Sequence, residues 1–310
     1  MLCLTPFLLI LLPLAAAQIR GFNSNGIGPN GVKHAADFKR EFNRMHNLEG
    51  QAPFTSARLY TMIQAGTQSD PVEAFQAALD TKTKLLLGLW ASAGDAAFEN
   101  ELAALRKAKQ RFGKQWKDVV AGCSVGSEDM YRITPTGIKN KSGAGAGPDV
   151  LVRYISKVRQ ILQGTGTPVG HVDTWTAWVN GSNSAVIPHV DFLGVDAYPY
   201  YESDQPDNSI SQAPRLFFDA YHKTVAVAHG KPVWVTETGW PVRGPRDFAK
   251  AVPSVANAKT YWDEVGCRIF GRINTWWFTL DDTKKDPGEI SFSTVGPNLG
   301  KPLFDLRCPK

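Results

Sequence analysis

Cysteine is scarce in this chain, four in 310 residues, too few for the disulfide framework of a small stapled domain. The six histidines show no close pairing, so no metal centre is expected. Lys and Arg are scattered at a net charge of +5, with no basic run or stripe, and a nucleic-acid partner finds no support. The only glycine-rich turn after the first strand, Gly26-Ile27-Gly28-Pro29-Asn30-Gly31, lacks nucleotide-loop spacing and carries a proline; no cofactor is expected. Linkers, low-complexity segments and charge runs are missing too, which argues for one domain.

One long apolar run exists, residues 1–17. It is too short to span a bilayer, and Ala15-Ala16-Ala17 fits a signal-peptide cleavage site. The expectation is a secreted monomer of residues 18–310, extracellular or in the cell wall, with no membrane contact after cleavage. Cys3 leaves with the leader. Cys123 lies in an apolar strand, so Cys267 and Cys308 are the expected disulfide, tying the C-terminal tail to a late helix. Asn140-Lys141-Ser142 and Asn180-Gly181-Ser182 are glycosylation sequons, consistent with secretion. Asn140, in a Gly/Ala/Lys loop, is the better candidate.

What the chain has is alternation. Strand-like runs are expected at 19–23, 56–62, 84–90, 119–128, 169–178, 191–198, 231–237 and 272–280. Helical patterns lie between them, at 33–47, from Pro71 with Asp70 as N-cap, at 98–112, 151–162, 216–228 and 256–270. Eight strands alternating with helical segments predict a parallel α/β sheet closed as a (β/α)8 TIM barrel. An open doubly wound sheet is the alternative. The last 25 or so residues are irregular, so the eighth helix is expected to be short or absent, with the disulfide-tied tail in its place.

Two of these strands end in a glutamate. Val119-Val120-Ala121-Gly122-Cys123-Ser124-Val125-Gly126-Ser127-Glu128 and Lys231-Pro232-Val233-Trp234-Val235-Thr236-Glu237 are buried runs that present a carboxylate at their C-terminal ends. In such barrels that end carries the chemistry. The glutamates end strands four and seven, facing each other across the mouth. Paired carboxyl groups flanking a scissile bond are the equipment of a glycosidase.

Val125-Gly126-Ser127-Glu128, Val172-Asp173-Thr174-Trp175, Asn183-Ser184-Ala185-Val186-Ile187 and Thr236-Glu237-Thr238-Gly239-Trp240-Pro241 together resemble glycoside hydrolase family 17. The likeness is to its fungal cell-wall branch of β-1,3-glucanases and glucanosyltransferases, and it runs from strand one to Cys308. It implies retaining chemistry on β-1,3-glucan, endo- or exo-acting, with Glu128 as acid/base and Glu237 as nucleophile. A glucanosyltransferase would use the same intermediate; a catalytically silent glucan-binding barrel is the reading of another class. The wider superfamily usually has Asn before the acid/base, where this chain has Ser127. Phe278 and Lys284 stand where the family usually has a carboxylate and a tryptophan.

Substrate contacts are expected from aromatic residues near strand ends. Trp90, Trp175 and Trp240 are candidates for sugar stacking. Trp276 and Trp277 alternate faces, so one of them is structural; Trp277 is the one carried as a binder. Tyr60 and Tyr198 could support the nucleophile, Tyr198 being the better candidate. Asp173 and Asp281 are candidates for sugar hydroxyls, Asp196 and Lys285 for hydroxyls or loop caps. Arg58 reads as a buried salt-bridge residue below the site, and His171 and His189 as loop or packing residues.

Overall fold

Eight parallel strands close on themselves in sequence order, from β1 (Arg20–Asn23) and β2 (Ser56–Arg58) through β3 (Lys84–Leu89), β4 (Val120–Ser127), β5 (Val169–Thr174), β6 (Phe192–Asp196) and β7 (Val233–Glu237) to β8 (Thr275–Trp277). The Arg20–Thr275 register between β1 and β8 completes the barrel. This computed structural model describes residues 18–245, 248–282, 284, 286 and 288–309. The expected leader 1–17, Cys3 and Lys285 lie outside the described residues. Among the described residues, no helix is long and apolar enough to cross a membrane.

The strands are buried on both faces, as a parallel barrel requires. Inside, a floor of Leu86, Phe192, Trp234 and Trp276 fills the bore, with Phe192 stacked on Trp234 at 3.7 Å between centroids. Small residues opposite make room: a Cβ at Gly21 would sit 2.5 Å from Trp276 Cδ1. Outside, a continuous apolar layer joins the strands to α1 (Ala35–His46), α2 (Ala74–Thr81), α3 (Asp95–Phe112), α4 (Pro148–Leu162), α5 (Ala213–Val227) and α6 (Val255–Tyr261).

Local chemistry moves several boundaries. The second helix begins at Ala74, not Pro71, because Pro71 pairs with Ile63 and the Val72 amide donates to Met62 O. Strand five stops at Thr174, whose hydroxyl caps the Ala177 amide and starts a short helix, Trp175–Val179; side-chain capping overrides the β-rich composition. The expected 256–270 helix is broken into α6, a π turn at Trp262–Gly266 and Cys267–Ile269.

After β8 no helix occurs among the described residues. The tail takes its place through the Cys267–Cys308 disulfide, the Trp262 indole donating to Leu306 O, and Arg44 donating to Gly300 O. Cys123 is a buried free thiol.

Candidate active site

Glu237 ends β7 beside an irregularity in its pairing with β6, between Val195 and Asp196; such bulges re-aim a side chain at the rim of a barrel. Three donors converge on its carboxylate. Arg58 Nη1 reaches Oε1 at 2.5 Å, Tyr60 Oη reaches Oε1 at 2.6 Å and Tyr198 Oη reaches Oε2 at 2.7 Å. Arg58 is itself fixed by donating to Asn23 Oδ1 and Ser127 Oγ, both at 2.9 Å. Asn23 is pinned in turn by its amide, which donates to Thr236 O and Trp276 O. Burial and the Glu237 charge hold both tyrosines well above the ordinary phenol range, so they remain donors. Burial alone would lower Arg58, but Asp196 and Glu237 outweigh it and keep the guanidinium charged.

Beneath this cradle Asp196 accepts from Thr236 Oγ1, and its other oxygen is buried without a partner. Burial, then the Glu237 charge, push its carboxyl well above the usual range.

Glu128 follows β4 with a left-handed backbone, φ 58°. That conformation is uncommon outside glycine and must be held from outside. The β4–β5 register shifts between Ser124 and Ser127, and Gly126 supplies the turn at φ 84°; a Cβ there would meet Asp129 Oδ2 at 2.0 Å. The Glu128 side chain is 26% exposed, with Arg132 Nη2 3.6 Å from its Oε2. Its carboxyl is pushed up to about 7, first by burial, then by the charges of Glu237 and Asp173, against the pull of Arg132 and Arg58. One carboxylate held among donors and a second that keeps its proton near neutrality form the environment-split pair of acid/base catalysis.

The other expected contacts divide. Ser127 lies in the site, its hydroxyl accepting from Arg58. Tyr60 joins Tyr198 as an equal partner of Glu237, and Arg58 pairs with that carboxylate itself rather than with a remote structural one. Trp90 is half-buried and shares Arg132 with Glu128, the guanidinium lying over its ring at 5.2 Å. Trp175 is half-buried: its indole donates to Glu202 and Lys223 covers its ring at 4.5 Å. Asp281 accepts from the Leu299 amide in the tail.

Three assignments are corrected. Trp240 is 2% exposed, packed edge-on against Tyr200 and donating to Val252 O. Trp277 is 3% exposed within the cluster of Tyr261, Trp262 and Phe270. Neither has a face to give a sugar. Asp173 is fully buried and caps backbone amides instead of meeting substrate. Trp240→Ala is therefore expected to cost about 3–5 kcal/mol of stability, the usual price of emptying a buried aromatic site. KM for laminarin should stay unchanged below the lowered Tm; a raised KM with unchanged Tm would return Trp240 to the glucan.

The aromatic surface near Glu237 is made by other residues. Phe278 packs edge-on against Tyr198 and Phe292, and Tyr201, 41% exposed, packs against Tyr198 as well. Phe278 was visible in the sequence only as a departure from a family pattern. The run Tyr198-Pro199-Tyr200-Tyr201 was the signal for Tyr201. Of the two sequons, Asn140 is exposed with its amide donating to Tyr131 Oη, whereas Asn180 is exposed with Oδ1 accepting from Ser182. Among the described residues no cluster suited to a metal ion is found.

A barrel that presents one carboxyl group just after β4 and another at the end of β7 carries the paired carboxyls of a glycosidase at its C-terminal mouth. The chain belongs to the BtgE/BtgC glycoside hydrolase domain family, whose model matches residues 22–298. It is 52% identical to the probable glucan endo-1,3-beta-glucosidase eglC of Aspergillus oryzae over 98% of this chain and 66% of that protein. With the Aspergillus fumigatus protein of the same name it shares 52% identity over 97% of this chain and 68% of that protein. The chain thus spans about two thirds of the length of these relatives. Among solved structures, a glycoside hydrolase family 17 beta-1,3-glucanosyltransferase from Rhizomucor miehei is similar at a TM-score of 0.71 and 26% identity, covering 91% of this chain and 95% of that one.

Proposed function

We propose that this chain is a retaining β-1,3-glucanase of the fungal cell-wall branch of family 17. The observation that carries the reading is the contrast between its two glutamates: Glu237 gripped by three donors, Glu128 raised to about 7. In the first step Glu237 attacks the anomeric carbon while Glu128 gives its proton to the departing glycosidic oxygen. As the ester forms, Oε1 or Oε2 gives up its charge, and Arg58, Tyr60 and Tyr198 lose their ionic acceptor. Arg58 keeps Asn23 Oδ1, Ser127 Oγ and Thr236 O as acceptors. Glu128, left as a carboxylate by its proton transfer, stays ionised because the Glu237 charge, a large cause of its raised carboxyl, is gone, and it takes the proton of the water that attacks the ester. Ser127 accepts from Arg58 and keeps its own proton to donate, which suits the role of binding the sugar hydroxyl beside the scissile bond.

The same intermediate serves transfer if a second glucan displaces water, and the likeness to a glucanosyltransferase supports that second reading. The names of the curated relatives support endo-hydrolysis. Both carboxylates and their donors are in place, which speaks against a silent glucan-binding barrel. Secretion to the cell wall fits the disulfide and the exposed sequons. Product analysis on a defined laminari-oligosaccharide separates the readings. Internal cleavage to shorter products is expected; products longer than the substrate mean transfer, and no products at all would sink the enzyme reading.

A further inference from the structure

His171 lies on β5, completely buried, with both ring nitrogens facing acceptors. Nδ1 is 2.6 Å from Val125 O on β4, and Nε2 is 3.0 Å from Asp173 Oδ2. A backbone carbonyl only accepts, so Nδ1 must carry a proton. The Asp173 carboxylate is already an acceptor on both oxygens: the Met130 amide donates to Oδ2 at 2.9 Å, and the Tyr131 and Thr174 amides donate to Oδ1 at 3.2 and 2.8 Å. With Asp173 as a carboxylate, Nε2 donates to it as well, and the ring is then an imidazolium.

The amides that Asp173 caps open the helical turn Asp129–Arg132, immediately after Glu128. That turn begins with the left-handed Glu128 and follows the β4 irregularity at Gly126. The imidazolium thus spans this irregularity, tied to β4 on one side and to the cap of the acid/base turn on the other. Asp129, on the same turn, adds a second carboxylate facing the ring; Ser92 Oγ donates to its Oδ1, and its Oδ2 is buried without a hydrogen-bond partner. The edge-on ring of Trp178 packs against the imidazole from the turn after β5. Burial would lower the imidazole's affinity for its proton, but the Asp173 hydrogen bond and the charges of Asp173 and Asp129 raise it above the ordinary value.

We propose that His171 is a positioning residue for general-acid catalysis: as an imidazolium clamped between Val125 O and Asp173, it locks the turn that presents Glu128 to the leaving oxygen. This rests on Glu128 being the acid. The residue touches no reacting atom. Its effect is geometric, keeping the carboxyl in line with the glycosidic oxygen, where small misplacements cost rate steeply.

The test compares wild type, Glu128→Gln and His171→Gln on two substrates, a laminari-oligosaccharide with a sugar leaving group and a dinitrophenyl β-laminarioside that departs without a proton. Glutamine can still donate to Asp173 but cannot bridge to Val125. The expected result for His171→Gln is a loss on the order of 10- to 100-fold in kcat/KM on the oligosaccharide, as for a misplaced catalytic group, and about threefold or less in kcat/KM on the aryl glycoside, the parameter that reports the first step alone, since Glu128 also serves as base in the second. Glu128→Gln should show the same split, more deeply. If Glu128→Gln shows no split, or wild type leaves laminarin intact, the underlying reading fails. If Glu128→Gln shows it and His171→Gln loses both activities equally, or neither, only the positioning role is overturned. Should His171→Gln not fold, 15N NMR of the wild-type histidines decides. An imidazolium with two ring N–H protons persisting at pH 8 supports the clamp, and a neutral ring at pH 7 refutes it.

Discussion

Glu237→Ala is expected to lower turnover by on the order of 10^4- to 10^6-fold, the range for loss of a covalent nucleophile. The structure adds a second expected effect. Arg58 is 1% exposed and loses its ion-pair partner, keeping the neutral acceptors Asn23, Ser127 and Thr236 O. A buried charge with one partner removed destabilises by about 3–5 kcal/mol, so the Tm should fall as well. Glu237→Gln separates the two consequences, because its amide oxygen still accepts from Tyr60 and Arg58 while being no nucleophile. It should fold better than the alanine variant and be as inactive. Azide fits the space vacated by the carboxylate in Glu237→Ala. With an activated aryl β-glucoside it should restore turnover and yield the α-glucosyl azide, since it attacks from the nucleophile's face. A β-azide, or wild-type activity in either variant, would remove Glu237 from the mechanism.

The pair of glutamates was legible because its signal is local. Each follows a buried run and precedes a turn, and strand counting then sets them across one mouth. The donors around Glu237 were only half legible. Tyr60 and Tyr198 could be placed near strand ends, but that Arg58 aims at the same carboxylate depends on β2 and β7 facing each other through the bore, a relation no local window contains. Trp240 lies just past Glu237, and its sequence position suggested a sugar platform. Its side chain turns outward because Tyr200 and Tyr261 offer a larger apolar contact there. The same limit hid His171. Its partner Asp173 is two residues away, yet the ring's meaning lies in Val125 O and the turn after Glu128, reached only when β4 and β5 pair. Sequence periodicity located elements well and misjudged ends wherever one side chain capped a backbone amide, as Thr174 does for Ala177.

Glu128→Gln should reveal both what the acid does and what keeping it poised costs the fold. On substrates with sugar leaving groups the loss should be about 10^2- to 10^4-fold, the usual weight of general-acid assistance. A dinitrophenyl glycoside needs no proton and should lose far less in the first step. Stability should change in the opposite sense. The carboxyl rises from an ordinary 4.5 to about 7 in the folded chain, so between those values the native state binds the proton that the unfolded chain releases. Stability therefore falls as pH rises through that window, and the full penalty is present above about 7. Glutamine cannot ionise and escapes it. The variant should match wild type near pH 4 and exceed it by about 1–3 kcal/mol at pH 8, the upper end being reduced because the side chain is partly exposed. Denaturant melts at the two pH values check this. An equal difference at both would mean that the glutamine alters packing, and that burial and the Glu237 charge do not hold a proton on Glu128.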